Sequence, residues 1–152
     1  MTDMTAAEAV HQIITTEDVF AVEETDIRGV TYRTFKNAPQ SIRDLMAVCL
    51  EHADSDFLVF EDERYTFDDF YERTNRLSQA LIHELGIKKG DRVAIAMRNY
   101  PEYMMAMMAI TSIGAVVVFL NSWWTTEEME YGFTDSDAKF AFVDGQRADT
   151  MQ

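Results

Sequence analysis

Two adjacent tryptophans are the side chains of this sequence that best fit a ligand site. Trp123 and Trp124 follow an apolar segment, residues 115–120, that is predicted to form a β-strand. Open parallel sheets bind ligands outside the carboxyl ends of their strands, so Trp123 and Trp124 are candidates to line a ligand cleft. The alternative is that both rings pack between domains.

The other side chains with reactive groups predict no catalytic residue. Neither His11 nor His52 is followed by a second histidine at i+3 or i+4, so we predict no metal site. His83 is expected at a helix end, where the negative end of the helix dipole favours it. Cys49 is the only cysteine, and it lies on the predicted buried side of a helix, where a thiol behaves as a small hydrophobic group.

The glycines are too widely spaced to form a phosphate-binding loop. They stand at positions 29, 86, 90, 114, 132 and 145, and neither G-x-G-x-x-G nor G-x-x-x-x-G-K-[ST] occurs. A phosphate cradle needs small residues close together, so that successive backbone N–H groups converge on the oxygen atoms. We therefore predict no nucleotide-binding residue and no cofactor bound by this chain alone.

The segments around the tryptophans predict a layered α/β fold. Residues 92–97 and 115–120 are apolar on both faces of a strand, and the helix between them begins at Pro101. Such an arrangement is typical of a parallel sheet with helices on both faces. Another strand is expected at 139–143, and a helix opened by Thr125 and Glu128 precedes it. The predicted fold class is a mainly parallel sheet with flanking helices.

The first half of the chain predicts helices and one hairpin. Thr66 opens a long helix, and residues 57–60 and 64–66 form a hairpin before it. A shorter helix begins near Ser41. The predicted buried positions of the two helices are Ile42, Leu45, Met46, Cys49 and Leu50, and then Phe67, Phe70, Tyr71, Thr74, Leu77, Ser78, Leu81, Ile82 and Leu85. Pro39 separates this part from a helix and extended arm, which divides the chain into 1–38 and 39–152.

Composition and charge exclude several classes of protein. A hydrophobic fraction of 47% argues against a disordered tail, and a net charge of -14 disfavours nucleic-acid and anionic membrane binding. The N-terminus has no basic region followed by an apolar run, so it is not a secretory signal, and we predict no transmembrane segment. With one cysteine and no possible internal disulfide, we predict a soluble cytoplasmic protein.

Nine residues carry a resemblance to a known family. The sequence follows the patterns G-x-x-x-G-D-x-V-A-x-x-x-x-N and G-A-x-x-x-x-x-N at Gly86, Gly90, Asp91, Val93, Ala94, Asn99, Gly114, Ala115 and Asn121. It resembles the amino-terminal part of the AMP-forming adenylate ligases, which include acyl-CoA synthetases, firefly-type luciferases and peptide-synthetase adenylation domains. The resemblance runs from about Pro39 to Asp144 and covers only the opening part of the family's length.

This resemblance implies an ATP-dependent ligase that joins a carboxylic acid, expected to be a fatty acid, to CoA through an acyl-adenylate. ATP, Mg²⁺ and CoA are implied for the intact enzyme. The family's nucleotide loop, a Ser/Thr/Gly-rich run ending in lysine, does not occur in this sequence, so we expect a fragment that is inactive without the remainder of the ligase. Apolar surface left uncovered by truncation predicts self-association. The alternative is a free-standing protein-interaction module with a doubly wound fold.

Overall fold

The computed structural model describes residues 4–15 and 19–150 and contains two compact units, residues 1–40 and 41–152. In residues 4–15 and 19–40 the first unit has one helix and one hairpin. Helix α1 spans Ala6–Thr15, and strands β1 (Val22–Ile27) and β2 (Val30–Phe35) pair antiparallel. The predicted extended arm is therefore a β-hairpin. Its turn residues, Arg28 and Gly29, both have positive φ, as two-residue hairpin turns with the twist of the strands require.

The second unit begins with the predicted helices and hairpin. Helix α2 spans Ile42–Val48 and continues as a short 3-10 helix, Cys49–His52. Strands β3 (Asp56–Phe60) and β4 (Glu63–Thr66) pair antiparallel, and helix α3 spans Phe67–His83. The backbone N–H groups of Asp44 and Asp69 donate to the hydroxyls of Ser41 and Thr66, each at 3.1 Å. These bonds satisfy donors that the first turn of a helix leaves free.

A three-stranded parallel sheet follows. It contains β5 (Arg92–Ala96), β6 (Val116–Phe119) and β7 (Phe140–Val143) in the order β6-β5-β7. Helix α4 (Pro101–Ser112) connects β5 to β6, helix α5 (Thr126–Asp135) connects β6 to β7, and α6 (Gly145–Thr150) follows β7. The predicted strand-helix-strand arrangement is confirmed.

The two faces of this sheet bury different cores because side chains alternate along a strand. On one face Val93 and Ile95 of β5 pack with Leu81 of α3 and Ile110 of α4. On the opposite face Ala94 and Ala96 of β5 pack with Leu120, which follows β6, and with Met129 of α5. Helices cover both faces, so the predicted fold class, a mainly parallel sheet with flanking helices, is confirmed.

Several positions predicted to be buried are exposed. In α2 only Met46 is buried, whereas Ile42 and Leu45 are exposed, because this helix is short and lies at the outside of the unit. In the last turn of α3 and beyond it, Ile82 and Leu85 are also exposed. Leu81 is fully buried as predicted, and Leu77 is half-buried against the same core.

Candidate functional site at the carboxyl end of the parallel sheet

The three parallel strands end at one edge of the sheet, and the segments that follow them meet there. Arg98 lies two residues after β5, Asn121 lies two residues after β6, and Asp144 lies directly after β7. This edge is where sequence analysis placed the two tryptophans. We call this group of segments the carboxyl-edge site; it comprises Arg98, Asn121–Trp124 and Asp144–Arg147.

Asp144 is the central hydrogen-bond acceptor of the carboxyl-edge site. Its Oδ2 accepts the backbone N–H of Arg98 at 3.0 Å, and its Oδ1 accepts the backbone N–H of Arg147 at 3.0 Å. Burial raises the pKa of this carboxyl group, but the two amide bonds and the charge of Arg147 outweigh it and hold the pKa below its usual range. Asp144 is therefore ionised at neutral pH and ties the end of β7 to the end of β5.

Arg147 connects the same point to the segment after β6. Its side chain is buried, with 4% of the residue exposed, and its Nε donates to the carbonyl oxygen of Ser122 at 2.6 Å. Its Nη1 lies 3.5 Å from Asp144 Oδ1 and donates to Gln146 Oε1 at 2.7 Å. A buried cation requires such partners, so Arg147 fixes the position of the backbone directly before Trp123.

Trp123 presents its indole ring to solvent although it is large and apolar. The residue is 76% exposed, and its backbone N–H donates to Asn121 Oδ1 at 3.0 Å. The guanidinium carbons of Arg98 and Arg147 lie 5.2 Å and 5.9 Å from the ring centroid, within the range of cation–π attraction. The indole ring thus lies at the sheet edge within cation–π range of two guanidinium groups.

Trp124 has a different environment. It is half-buried and packs on the core formed by Leu120 and Met129. Its ring lies against Gly132 of α5, where a Cβ atom would stand 2.6 Å from Trp124 Cζ3. Both predicted tryptophans are therefore at the carboxyl-edge site, but Trp124 is a packing residue and Trp123 is the one whose ring is available to a ligand.

The other residues considered in the sequence lie elsewhere. Cys49 is half-buried beside α2, and His83 is exposed on α3, where its Nε2 lies 3.0 Å from Gln79 Oε1. Sequence reasoning missed Arg98, Asp144 and Arg147. Arg98 and Asp144 lie directly after predicted strand ends, which was the signal that could have identified them, whereas no such signal marks Arg147.

The carboxyl-edge site combines a flat aromatic face with two guanidinium groups and one carboxylate, a local excess of positive charge in a chain of net charge -14. Within residues 4–15 and 19–150, no group of three or more His, Cys, Asp or Glu side chains is placed to hold a metal. In the same ranges no helix is long and apolar enough to cross a membrane.

Comparisons with known proteins agree on one family. The family model described as AMP-binding enzyme matches residues 45–152. A long-chain-fatty-acid–CoA ligase of Escherichia coli O6:H1 is 33% identical over 114 residues, which are 74% of this chain and 20% of the ligase. The long-chain fatty acid transport protein 6 of Mus musculus is 38% identical over 66 residues, 43% of this chain and 11% of that protein. The chain thus spans a fifth or less of the length of these relatives.

Solved structures show the same relationship. The crystal structure of the N-terminal domain of FACL13 from Mycobacterium tuberculosis matches 74% of this chain and 29% of that domain chain, with a TM-score of 0.70 and 26% sequence identity. The N-terminal subdomain of NpsA from Klebsiella oxytoca covers 70% of this chain, and the chain covers 28% of it, with a TM-score of 0.64 and 25% identity.

Proposed function

Because this chain belongs to the AMP-binding enzyme family, we propose that it is the amino-terminal part of a carboxylic acid:CoA ligase that forms an acyl-adenylate. A fatty acid is the proposed substrate. The support is the similarity to a long-chain-fatty-acid–CoA ligase over about three quarters of the chain. The division into an arm at 1–38 and an incomplete subdomain at 39–152 belongs to this proposal, and the cytoplasmic location stays a prediction from the sequence.

The proposed role of the parallel sheet is to support the substrate cleft of the whole ligase. The observation that carries this role is the exposed indole of Trp123, which Arg98 and Arg147 hold at the carboxyl edge. Ligands of open parallel sheets bind at this edge. We propose that Trp123 lines the cleft for the acyl or nucleotide group and that Trp124 fixes the segment that carries it.

The chain by itself is proposed to be inactive. ATP, Mg²⁺ and CoA would bind to the whole ligase, and the remainder of the ligase is the expected partner of this chain. Titration calorimetry of the 152-residue chain with Mg-ATP should show no saturable heat. Saturable binding at micromolar ATP would contradict the proposal that this part is a scaffold.

Formation of acyl-CoA tests the function directly. The protein expressed from its complete reading frame is incubated with ATP, Mg²⁺, CoA and a series of acids that includes long-chain fatty acids and aromatic acids. We expect fatty acyl-CoA and AMP as products. Formation of acyl-CoA only from aromatic acids would contradict the proposed substrate class, and no product from any acid would contradict the proposed ligase.

A matched pair of variants tests the role of Trp123. Trp123→Ala should lower kcat/KM for the acid by about tenfold or more, since it removes a proposed cleft contact. Tyr131→Ala removes another exposed aromatic ring, on α5, and should stay within about twofold of the parent enzyme. Equal kinetics for Trp123→Ala and the parent enzyme would exclude Trp123 from the cleft.

A further inference from the structure

A second candidate binding region lies among α2, its 3-10 continuation, β3, α3 and α4. It is a cavity of about 150 Å³. Its walls include the aromatic rings of Phe57 and Phe70, the methionine side chains of Met46, Met104 and Met108, and the thiol of Cys49. None of the residues that line this cavity belongs to the carboxyl-edge site, so the inference below does not depend on the proposed function.

The cavity is partly open to solvent, since Leu45 in its lining is 46% exposed, and its volume exceeds that of the small voids found in protein interiors. Interiors are close-packed and contain few voids larger than a water molecule, which occupies about 30 Å³ in the liquid. Its aromatic wall resists collapse because the Phe57 ring centroid lies 4.5 Å from that of Phe67 and 4.8 Å from that of Phe70. The opposite wall is also fixed, since the hydroxyl of Ser112 donates to Met46 Sδ at 3.3 Å.

The chemistry of the walls selects an uncharged apolar occupant. No lining residue carries a charge, and the thiol of Cys49 already contacts the carbonyl oxygen of Leu45 at 3.5 Å. A water molecule needs two to four polar partners, and a carboxylate head would lose its hydration without compensation. In another protein, an apolar cavity of about 150 Å³ stays dry and binds benzene.

We propose that this cavity is a binding site for a compact, uncharged, apolar molecule about the size of a benzene ring. The aromatic wall of Phe57 and Phe70 provides ring contacts on one side of the ligand. The thioethers of Met104 and Met108 provide sulfur–aromatic contacts on another side, and their unbranched side chains adapt to its shape. Cys49 is half-buried in the wall, so a bound molecule restricts access to its sulfur.

Benzene is the probe, and the single cysteine is the first reporter. The whole chain is titrated with benzene while the rate of Cys49 alkylation by iodoacetamide is measured. Saturating benzene should slow alkylation about fivefold or more, because the ligand occupies the space beside the thiol. Methyl-labelled methionine provides a second readout by NMR. The methyl signals of Met46, Met104 and Met108 should shift with the same saturation curve.

Two substitutions on one helix provide a matched comparison. Met108 lines the cavity, whereas Met107 on the same helix is equally half-buried and packs on the sheet core instead. Met108→Phe should weaken benzene binding about tenfold or more by filling the site, and Met107→Phe should change it by less than about twofold. If Met108→Phe does not fold, Cys49→Leu fills the cavity from the 3-10 helix that follows α2, and Ala47→Leu on the exposed side of α2 is its control.

Several results would overturn the proposal. They are the absence of saturable protection or methyl shifts, equal loss of binding in the Met107 and Met108 variants, and protection by benzoate as strong as that by benzene. Octanoate is the last ligand to be tested. Protection by octanoate at lower concentrations than benzene would show that the cavity takes the tail of a chain and not a compact molecule.

Discussion

Gly132 of α5 offers a sharp test of how the segment that carries Trp123 is held. A Cβ atom at this position would stand 2.6 Å from Trp124 Cζ3 and 3.0 Å from Leu120 Cδ2. The first distance is shorter than van der Waals contact, so Gly132→Ala must displace the indole ring of Trp124. Trp123 directly precedes Trp124 in the chain, so this displacement should disturb its position as well.

Two opposing effects set the magnitude for Gly132→Ala. Overpacking of a core costs roughly 1–3 kcal/mol. Alanine inside a helix is favoured over glycine by about 0.5–1 kcal/mol. The net effect should be a loss of roughly 0–2.5 kcal/mol in the free energy of unfolding. In a Trp124→Phe background the far part of the indole is absent, so the helix preference should dominate and Gly132→Ala should stabilise by up to about 1 kcal/mol.

Urea denaturation followed by circular dichroism measures both effects. The four chains of the cycle are the parent, each single variant and the double variant, and the coupling free energy should be about 1–3 kcal/mol. The fluorescence of Trp123 in the Trp124→Phe background reports whether its environment is retained. The same change in unfolding free energy in both backgrounds would show that Gly132 and Trp124 are not in the tight contact described.

Three further predictions follow from burial, charge and exposed surface. Leu81→Ala should lower the free energy of unfolding by about 2–5 kcal/mol because Leu81 is fully buried, and Leu77→Ala should lower it less because Leu77 is half-buried. Equal thermal midpoints for the parent and Leu81→Ala would contradict the placement of α3. Asp144 has a lowered pKa in the folded chain, so its contribution to stability is complete above the unfolded value of about 3.9 and is lost as the pH falls through the lower folded value. Asp144→Asn should therefore have a lower free energy of unfolding than the parent at pH 7. Urea titrations should show that this free energy falls less in the variant than in the parent between about pH 5 and about pH 2, whereas parallel pH profiles would refute this role of Asp144. Phe119 is exposed on the edge strand β6, so light scattering across a dilution series should show a concentration-dependent dimer or larger species, and a monomer at all concentrations would contradict the predicted self-association.

The fold was predictable where local patterns and buried contacts agree. The strands β5 and β6 are short apolar runs on either side of a helix started by Pro101, and a parallel sheet is the arrangement that buries both of their faces. The start of α3 was predictable because the hydroxyl of Thr66 and the carboxylate of Asp69 satisfy free backbone donors of the first turn. By contrast, Leu45 is exposed because few elements cover α2, and no local sequence pattern predicts that cover.

The candidate site was predictable in position but not in composition. The rule that ligands bind at the carboxyl edge of a parallel sheet selects Trp123 from its place after β6. The same rule gives no reason to choose Arg147, since a single arginine near a helix start is ordinary in sequence. Its burial and its bond to the carbonyl of Ser122, 25 residues earlier, exist only after α5 and β7 have folded back onto the sheet.

Isotope exchange between pyrophosphate and ATP tests the central proposal most directly. The assay uses the protein from its complete reading frame with Mg²⁺, ATP, labelled pyrophosphate and a long-chain fatty acid, without CoA. Exchange that depends on the fatty acid is expected, because formation of an acyl-adenylate from the acid and ATP is reversible and needs no thiol. A folded protein that shows no acid-dependent exchange with any carboxylic acid would contradict the assignment of this chain to an adenylate-forming acid:CoA ligase.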